Sequence, residues 1–236
     1  TALSDITLDI EAGDFYTILG PSGCGKSTML RLVSDLVPPA SGTVEILGKS
    51  TEAARLAREF AFVFQDATLL PWRSALENVE LPLEIGRKRG IKNPKGDRTP
   101  PQLLELVGLK GRENALPHEL SGGMRQRVAI ARALVCQPKL LLMDEPFGAL
   151  DEMTRDRLNL QLLDIWKETG TTILFVTHSI PEAVFLGQKV LMLKANPGRV
   201  KEVVQVDLPF PREIALRETP KFNKYCGRLR KLLEEC

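Results

Sequence analysis

The chain has 236 residues, of which 43% are hydrophobic and 26% charged, and its formal net charge is only +2. A chain of this length and composition can bury a core of its own, so we expect a globular fold rather than disorder, collagen or a coiled coil. With 32 basic against 30 acidic side chains, the overall charge gives no reason to expect a nucleic-acid partner. Any anion must therefore be bound by local features of the chain.

The cysteines and the apolar runs narrow the class further. Cys24, Cys136, Cys226 and Cys236 are scattered without the paired spacing of a metal site, which favours a reducing compartment. The apolar runs are the size of strands and fall well short of the roughly 18 residues that a membrane span needs. The sequence begins at Thr1 without the pattern of a signal peptide. We therefore expect a chain that does not itself cross a membrane.

The first predicted elements are a strand, a glycine-rich loop and a helix. Residues that favour strands at 15–19 lead directly into the loop at 20–28. Apolar residues then recur at helical spacing from Met29 to Val37, and Pro38-Pro39 ends the pattern. This order of elements is the one that a phosphate-binding loop requires.

A second strand is predicted at 60–64, after which the strand pattern disappears until about residue 138. Helix starts are predicted at Ser74-x-x-Glu77 and at Thr99-Pro100-x-Gln102, which both carry capping residues. The basic stretch at 86–98 is interrupted by glycine and proline, so we expect a solvated loop, with contact to an acidic surface as the alternative.

Strand patterns return at 140–143 and 172–176, with a helix predicted between them at 152–167. Alternating strands and helices predict a parallel α/β sheet. Edge strands are expected at 200–206 and a terminal helix at 221–235. We therefore predict a single domain over residues 1–236, with a nucleotide-binding core at 1–65 and 138–236 and an inserted helical subdomain at 66–137.

The loop after the first strand fits the pattern of a phosphate-binding loop. Its residues are Gly20, Pro21, Ser22, Gly23, Cys24, Gly25, Lys26, Ser27 and Thr28. The glycines allow backbone N–H groups to surround phosphates, and Lys26 can reach the β- and γ-phosphates of a nucleotide. The hydroxyl of Ser27 is then expected on Mg²⁺. A surface glycine turn, the alternative, explains neither the lysine nor the hydroxyl.

Polar side chains follow three of the predicted strands. We expect Asp144 in the Mg²⁺ shell and Glu145 as the general base or polariser for the water that attacks the γ-phosphate. At the end of the strand at 172–177, His178 is expected to contact the γ-phosphate, with an ordinary structural histidine as the alternative. Gln65, which follows the second strand, is expected to touch Mg²⁺ and the attacking water.

A second turn suited to anions is predicted at Ser121, Gly122, Gly123 and Met124. A serine and two glycines before a helix offer hydroxyl and N–H groups to an anion. An ordinary glycine-containing helix start is the alternative.

The stretch from Leu120 to Met124 is similar to the signature motif of ABC-type ATPases. It precedes Asp144 and Glu145 by about 20 residues, as in that family. The turn at 148–151, Gln65 and His178 also follow the family's order. The resemblance implies an ABC-type P-loop NTPase fold, with a parallel-sheet core, an inserted α-helical subdomain and an antiparallel β edge. It also implies ATP and Mg²⁺ as cofactors.

The same resemblance implies a homodimer in which two ATPase subunits pack head to tail. Ser121, Gly122, Gly123 and Met124 of one copy would then close over the γ-phosphate that Lys26 of the other copy holds. Asp151 would be a dimer contact.

Three further motifs resemble the ATP-binding subunits of bacterial nitrate, sulfonate and taurine importers: Leu70-Pro71-Trp72-Arg73, Asn196-Pro197-Gly198-Arg199, and the stretch at 207–212. This implies a peripheral ATPase on the cytoplasmic face of the inner membrane, coupled to a transmembrane permease that an upstream solute-binding protein supplies, with no nucleic acid. Trp72 fits core packing equally well, and Pro197-Gly198-Arg199 fits a plain turn. An ABC-type ATPase acting on DNA or ribosomes is the alternative function, and a P-loop kinase of small substrates is a third.

One departure from the family concerns the aromatic residue that stacks on adenine. The aromatics before the glycine loop are Phe15 and Tyr16, and both belong to the predicted strand. We expect the stacking residue to lie before Thr1.

Overall fold

The computed structural model of the chain describes residues 1–91 and 98–236. Residues 92–97, which belong to the basic stretch expected to form a solvated loop, lie outside the described residues. The strands are β1 (Phe15–Leu19), β2 (Glu45–Ile46), β3 (Lys49–Ser50), β4 (Phe60–Val63), β5 (Leu140–Asp144), β6 (Thr172–Val176), β7 (Lys189–Lys194) and β8 (Arg199–Gln205). The α-helices are α1 (Lys26–Val33), α2 (Thr51–Leu56), α3 (Ala75–Lys88), α4 (Pro100–Leu106), α5 (Gly122–Leu134), α6 (Glu152–Thr169), α7 (Ile180–Leu186) and α8 (Pro220–Glu234).

Six strands form the central sheet, in the order β4-β5-β6-β1-β7-β8. All neighbouring pairs in it are parallel except β7 and β8, which are antiparallel. The register places Val176 beside both Ile18 and Asp144. The carboxyl ends of β1, β5 and β6 therefore lie side by side, at the edge where parallel sheets bind ligands.

Both faces of the sheet are covered, as expected for parallel strands. Along β5, Leu141 and Met143 pack into the larger core cluster, while Leu142 packs into the smaller one. Each fully buried side chain of this size contributes about 1.5–3 kcal/mol relative to exposure. The site therefore stands on strands that are fixed from both sides.

The helix starts predicted between 66 and 137 are confirmed. The Ser74 Oγ atom accepts the N–H of Glu77 at 3.2 Å, and Glu77 accepts the N–H of Ser74 at 2.7 Å. The side chain of Gln102 accepts the N–H of Thr99 at 2.7 Å. The described residues of this span contain helices and no strand. Its separation as an inserted subdomain stays a prediction.

The first helix is shorter than the apolar spacing predicts, because it ends at Val33 rather than near Val37. The N–H of Leu36 reaches back to the carbonyl of Arg31 at 3.0 Å while Asp35 adopts a left-handed φ of 57°. This is the geometry of a Schellman helix end. Hydrogen bonds from Arg55 and Thr51 hold the Asp35 carboxylate and keep its pKa below the usual range.

The edge strand β8 and the terminal helix α8 are found where they are expected, whereas the central strand β7 and the short elements β2, β3, α2 and α7 were not predicted. The loop predicted at 86–98 is wrong at its start, because α3 continues to Lys88. No helix in the described part of the chain is both long and apolar enough to cross a membrane.

Candidate nucleotide-binding site

The glycine loop joins the end of β1 to the start of α1. Gly23 and Gly25 have φ values of 78° and 98°, a region that side chains with a Cβ atom rarely enter. Gly25 is the N-cap of α1, and the N–H of Met29 bonds to its carbonyl at 2.8 Å. The loop therefore presents its backbone and the positive end of α1 to the edge of the sheet.

Lys26 lies inside this loop with only 9% of its surface exposed. Its Nζ atom donates to the carbonyls of Gly20 at 2.8 Å and Pro21 at 3.1 Å. The ammonium group is thus held against the loop, where phosphate oxygens would meet it as a point charge.

Ser27 and Asp144 meet across the gap between α1 and β5. The Ser27 hydroxyl donates to Oδ1 of Asp144 at 3.1 Å. Burial raises the pKa of Asp144, although the bond from Ser27 opposes this effect. A hydroxyl and one carboxylate are hard oxygen ligands, and Mg²⁺ typically takes its remaining ligands from water and phosphate. These two side chains therefore fit the predicted magnesium ion.

Glu145 and His178 meet beyond the ends of β5 and β6. The Oε2 atom of Glu145 lies 3.2 Å from Nδ1 of His178, and 60% of the His178 side chain is exposed. The backbone of Glu145 is anchored by its N–H bond to the carbonyl of Val176 at 3.0 Å, with a left-handed φ of 47°. The pair therefore projects from the sheet edge toward solvent.

Gln65 belongs to the same group. A Cβ atom placed on Gly148 would lie 3.5 Å from Nε2 of Gln65 and 3.6 Å from Oε2 of Glu145. The structure thus brings together Gln65, Glu145 and His178, which come from the ends of three strands.

The signature turn caps α5. The Ser121 Oγ atom accepts the N–H of Met124 at 3.3 Å, and Ser121 itself is exposed. A Cβ on Gly123 would lie 2.7 Å from Cγ2 of Thr154, so the glycine allows α5 to approach α6 closely. Asp151 is the N-cap of α6, and its Oδ1 atom accepts the N–H of the same Thr154 at 2.9 Å. The signature turn and the turn carrying Asp151 are therefore neighbours.

One cleft is shared by Gln65, Gly122, Arg125 and Leu150. Within the described parts of the chain, none of the phosphate-loop residues 20–28 lines it. A single copy therefore groups the signature turn with Gln65 rather than with the phosphate loop.

Two links between α5 and the Gln65 loop were missed in the sequence. Gln126, only 3% exposed, donates to the carbonyl of Phe64 at 2.9 Å. Arg132 donates to the carbonyl of Ala67 at 2.7 Å. The signal for Gln126 was an amide on the buried face of α5, which is otherwise apolar.

Gly198 also escaped prediction as a site residue. A Cβ atom there would lie 2.0 Å from the carbonyl oxygen of Cys24, so the turn at 196–199 supports the phosphate loop from behind. The plain-turn interpretation of this segment is therefore incomplete. The core-packing alternative for Trp72 is wrong, because 72% of that residue is exposed. Phe15 and Tyr16 are buried in β1, as expected.

Comparison with known proteins identifies the family. The family model described as ABC transporter matches residues 3–148. The chain is 46% identical to the aliphatic sulfonates import ATP-binding protein SsuB of Bacillus subtilis, over 94% of this chain and 83% of that protein. It is 44% identical to the taurine import ATP-binding protein TauB of Escherichia coli K12, over 94% of this chain and 85% of that protein.

Solved structures agree with the fold. A dimeric ATP-binding cassette in a post-hydrolysis state, bound to ADP and Pi, superimposes with a TM-score of 0.73 at 36% identity and covers 88% of this chain and 92% of that chain. The cbiO1 protein of Clostridium perfringens, part of an ABC transporter complex, gives 0.75 at 28% identity and covers 99% of this chain and 92% of that chain. The chain therefore belongs to the ABC transporter family, as an ATP-binding ATPase subunit of the import type.

Proposed function

We propose that this chain drives import of a small anionic or zwitterionic solute, such as a sulfonate, taurine or nitrate, by hydrolysing Mg-ATP between two copies of itself. The observation that carries the proposal is the grouping of Gln65, Glu145 and His178 beside the Ser27–Asp144 pair at one edge of the sheet. The relatives named for sulfonate and taurine import support the solute class.

The residues of one copy divide the catalytic work. Gly20–Thr28 cradles the phosphates, and Lys26 places its charge on the β- and γ-phosphates. Ser27, Asp144 and Gln65 would hold Mg²⁺, which would neutralise the phosphate charge. The loop and Lys26 would hold the γ-phosphate near the carboxylate that activates water.

Glu145 orients the attacking water and accepts its proton. His178 places Nδ1 at Glu145; with a proton on each ring nitrogen, it donates from Nδ1 to the carboxylate and from Nε2 to a γ-phosphate oxygen. Gln65 adds an amide close to the Glu145 carboxylate. Glu145 thereby binds the attacking water while His178 holds the γ-phosphate.

The second copy completes the site. Ser121, Gly122, Gly123 and Met124 form a turn at the positive end of α5, with Ser121 exposed and Gly123 buried, outside the phosphate loop of their own chain. In a head-to-tail dimer, this turn covers the γ-phosphate of the partner, and Asp151 contacts the opposite subunit. Two equivalent sites result, and the dimer opens after hydrolysis.

The membrane partner contacts the surface near Gln65. Trp72 exposes 72% of its surface and Phe64 exposes 42%, although both are large and apolar. We assign this surface to a transmembrane permease, which receives solute from an external binding protein. The chain then acts peripherally, at the cytoplasmic face of the bacterial inner membrane.

The catalytic assignment is tested with Glu145→Gln. Loss of the general base should lower kcat for Mg-ATP at least about 100-fold while KM for ATP changes little, because the lost contact acts mainly in the transition state. Undiminished hydrolysis would contradict the role of Glu145.

The solute is tested on the chain bound to its own permease in vesicles. Hydrolysis should be stimulated by the binding protein loaded with taurine, an alkanesulfonate or nitrate. Stimulation by DNA or ribosomes in place of the permease would contradict the transport function.

A further inference from the structure

A buried hydrogen bond ties the turn after β6 to the first turn of α7. Thr177, 2% exposed, donates its hydroxyl to Oε2 of Glu182 at 2.5 Å. The same hydroxyl oxygen accepts the N–H of Ser179 at 3.0 Å. The hydroxyl of Ser179 in turn accepts the N–H of Glu182 at 3.4 Å. His178 lies between the two residues that are bound in this way, so its backbone is held on both sides.

Glu182 also faces α6. It is 6% exposed, and it lies in the electrostatic field of Arg155 and beside Asn159. Arg155 donates from Nη2 to the carbonyl of Leu150 at 2.8 Å. Leu150 directly precedes Asp151, so Arg155 is bound to the turn that carries Asp151.

This arrangement costs stability. Burial raises the pKa of Glu182, with the Thr177 hydroxyl and the Arg155 charge opposing. The Nε atom of Arg155 is buried without a hydrogen-bond partner in the described structure, whereas the Asn159 amide lies close enough to the Glu182 carboxyl to favour its charged form. Such an unpaired group costs about 1–3 kcal/mol. An apolar side chain at 182 would remove the buried charge but leave the Thr177 hydroxyl without its acceptor. The carboxylate is therefore matched to that hydroxyl.

We propose that Glu182 is a positioning residue for ATP hydrolysis, which fixes the His178 turn through Thr177. Glu182 touches no phosphate and acts by directing the His178 ring. The proposal rests on the role given to His178 above.

The first test removes the hydroxyl without changing the shape of the side chain. Thr177→Val should lower kcat about tenfold with less than about a twofold change in KM for ATP, because misdirected catalytic groups cost rate more than binding. Thr177→Ser, which keeps the hydroxyl, should restore kcat to within about twofold of the native chain. A native kcat in Thr177→Val would overturn the proposal.

The second test changes the acceptor. Glu182→Gln keeps an oxygen that accepts the Thr177 hydroxyl, whereas Glu182→Met does not. We expect Glu182→Gln to retain more of kcat than Glu182→Met, with all assays run below the unfolding midpoints of both variants. Equal losses would overturn the proposal.

The third test asks whether Thr177 acts through His178. In a His178→Ala background, Thr177→Val should cause no further loss, because residues that act as a unit are not additive. A loss by the same factor as in the native background would show a merely structural effect and overturn the proposal. A native kcat in His178→Ala alone would instead refute the catalytic role of His178.

Discussion

The hydroxyl of Ser27 donates a 3.1 Å hydrogen bond to the carboxylate of Asp144, and so joins the first helix to the end of β5. The two residues are distant in sequence, and the bond places the two oxygen ligands of the proposed magnesium site together. Their contact is the starting point for the first prediction.

Ser27→Ala should weaken the apparent Mg²⁺ affinity in the ATPase assay and lower kcat, because one ligand is lost. Ser34→Ala is the matched control at the C-terminal end of the same helix, since among residues 1–91 and 98–236 the Ser34 hydroxyl bonds only to the carbonyl of Arg31, at 3.3 Å. It should leave the Mg²⁺ dependence unchanged. Equal Mg²⁺ dependence in both variants would contradict the site.

Asp144→Asn should abolish Mg-ATP turnover but stabilise the nucleotide-free chain. Burial raises the pKa of Asp144, so the charged form is unfavourable in the folded state. An amide still accepts the Ser27 hydroxyl and carries no charge. We expect the unfolding midpoint at pH 7 to rise by about 2 °C, which corresponds to a gain of roughly 1 kcal/mol or less. A lower midpoint would contradict this account.

Gly198→Ala should impair the phosphate loop from behind. The added methyl would lie 2.0 Å from the carbonyl oxygen of Cys24, which forces either the loop or the turn to move. KM for ATP should rise and the unfolding midpoint should fall. Gly227→Ala is the control, because a Cβ atom added at Gly227 meets nothing within 4 Å. That variant lies in α8 and should gain up to about 1 kcal/mol in stability.

Trp72→Ala should separate hydrolysis from transport. Trp72 is 72% exposed, so its removal should change neither the unfolding midpoint nor the ATPase activity of the isolated chain. Binding to the permease, measured by co-purification from membranes, should fall. Trp166→Ala is the contrasting variant, since Trp166 bonds to the carbonyl of Gly13 at 2.9 Å and packs on Phe15. Trp166→Ala should destabilise the fold by about 3 kcal/mol or more. If Trp72→Ala co-purifies with the permease as well as the native chain does, the surface around Trp72 is not the permease contact.

Local patterns were sufficient where a residue's role depends on its immediate neighbours. The phosphate loop requires glycines, a lysine and a hydroxyl at one strand-to-helix junction, and the sequence contains all of them at 20–28. The capped starts of α3 and α4 are likewise encoded within four residues. These elements could be predicted because their energetics are local.

Contacts between distant segments could not be predicted in this way. The 3.2 Å approach of Glu145 to His178 depends on β5 and β6 being neighbours, which the order of strands along the chain does not determine. The early end of α1 depends on Asp35 adopting a left-handed φ, held by Arg55 from another helix. The support that Gly198 gives to Cys24 is visible only when the fold brings the two turns together.

The central claim is that the signature turn of one copy closes the ATP site of another. The measurement is the molar mass of the Glu145→Gln chain in solution with Mg-ATP, compared with the same variant carrying Ser121→Arg. Ser121 is exposed, so the arginine should leave the fold and ATP binding intact, at a cost of about 1 kcal/mol for the lost cap of α5. We predict a species of twice 26.2 kDa for Glu145→Gln and a monomer when Ser121→Arg is added. A dimer that persists with Ser121→Arg, or the absence of an ATP-dependent dimer in Glu145→Gln, would contradict the account.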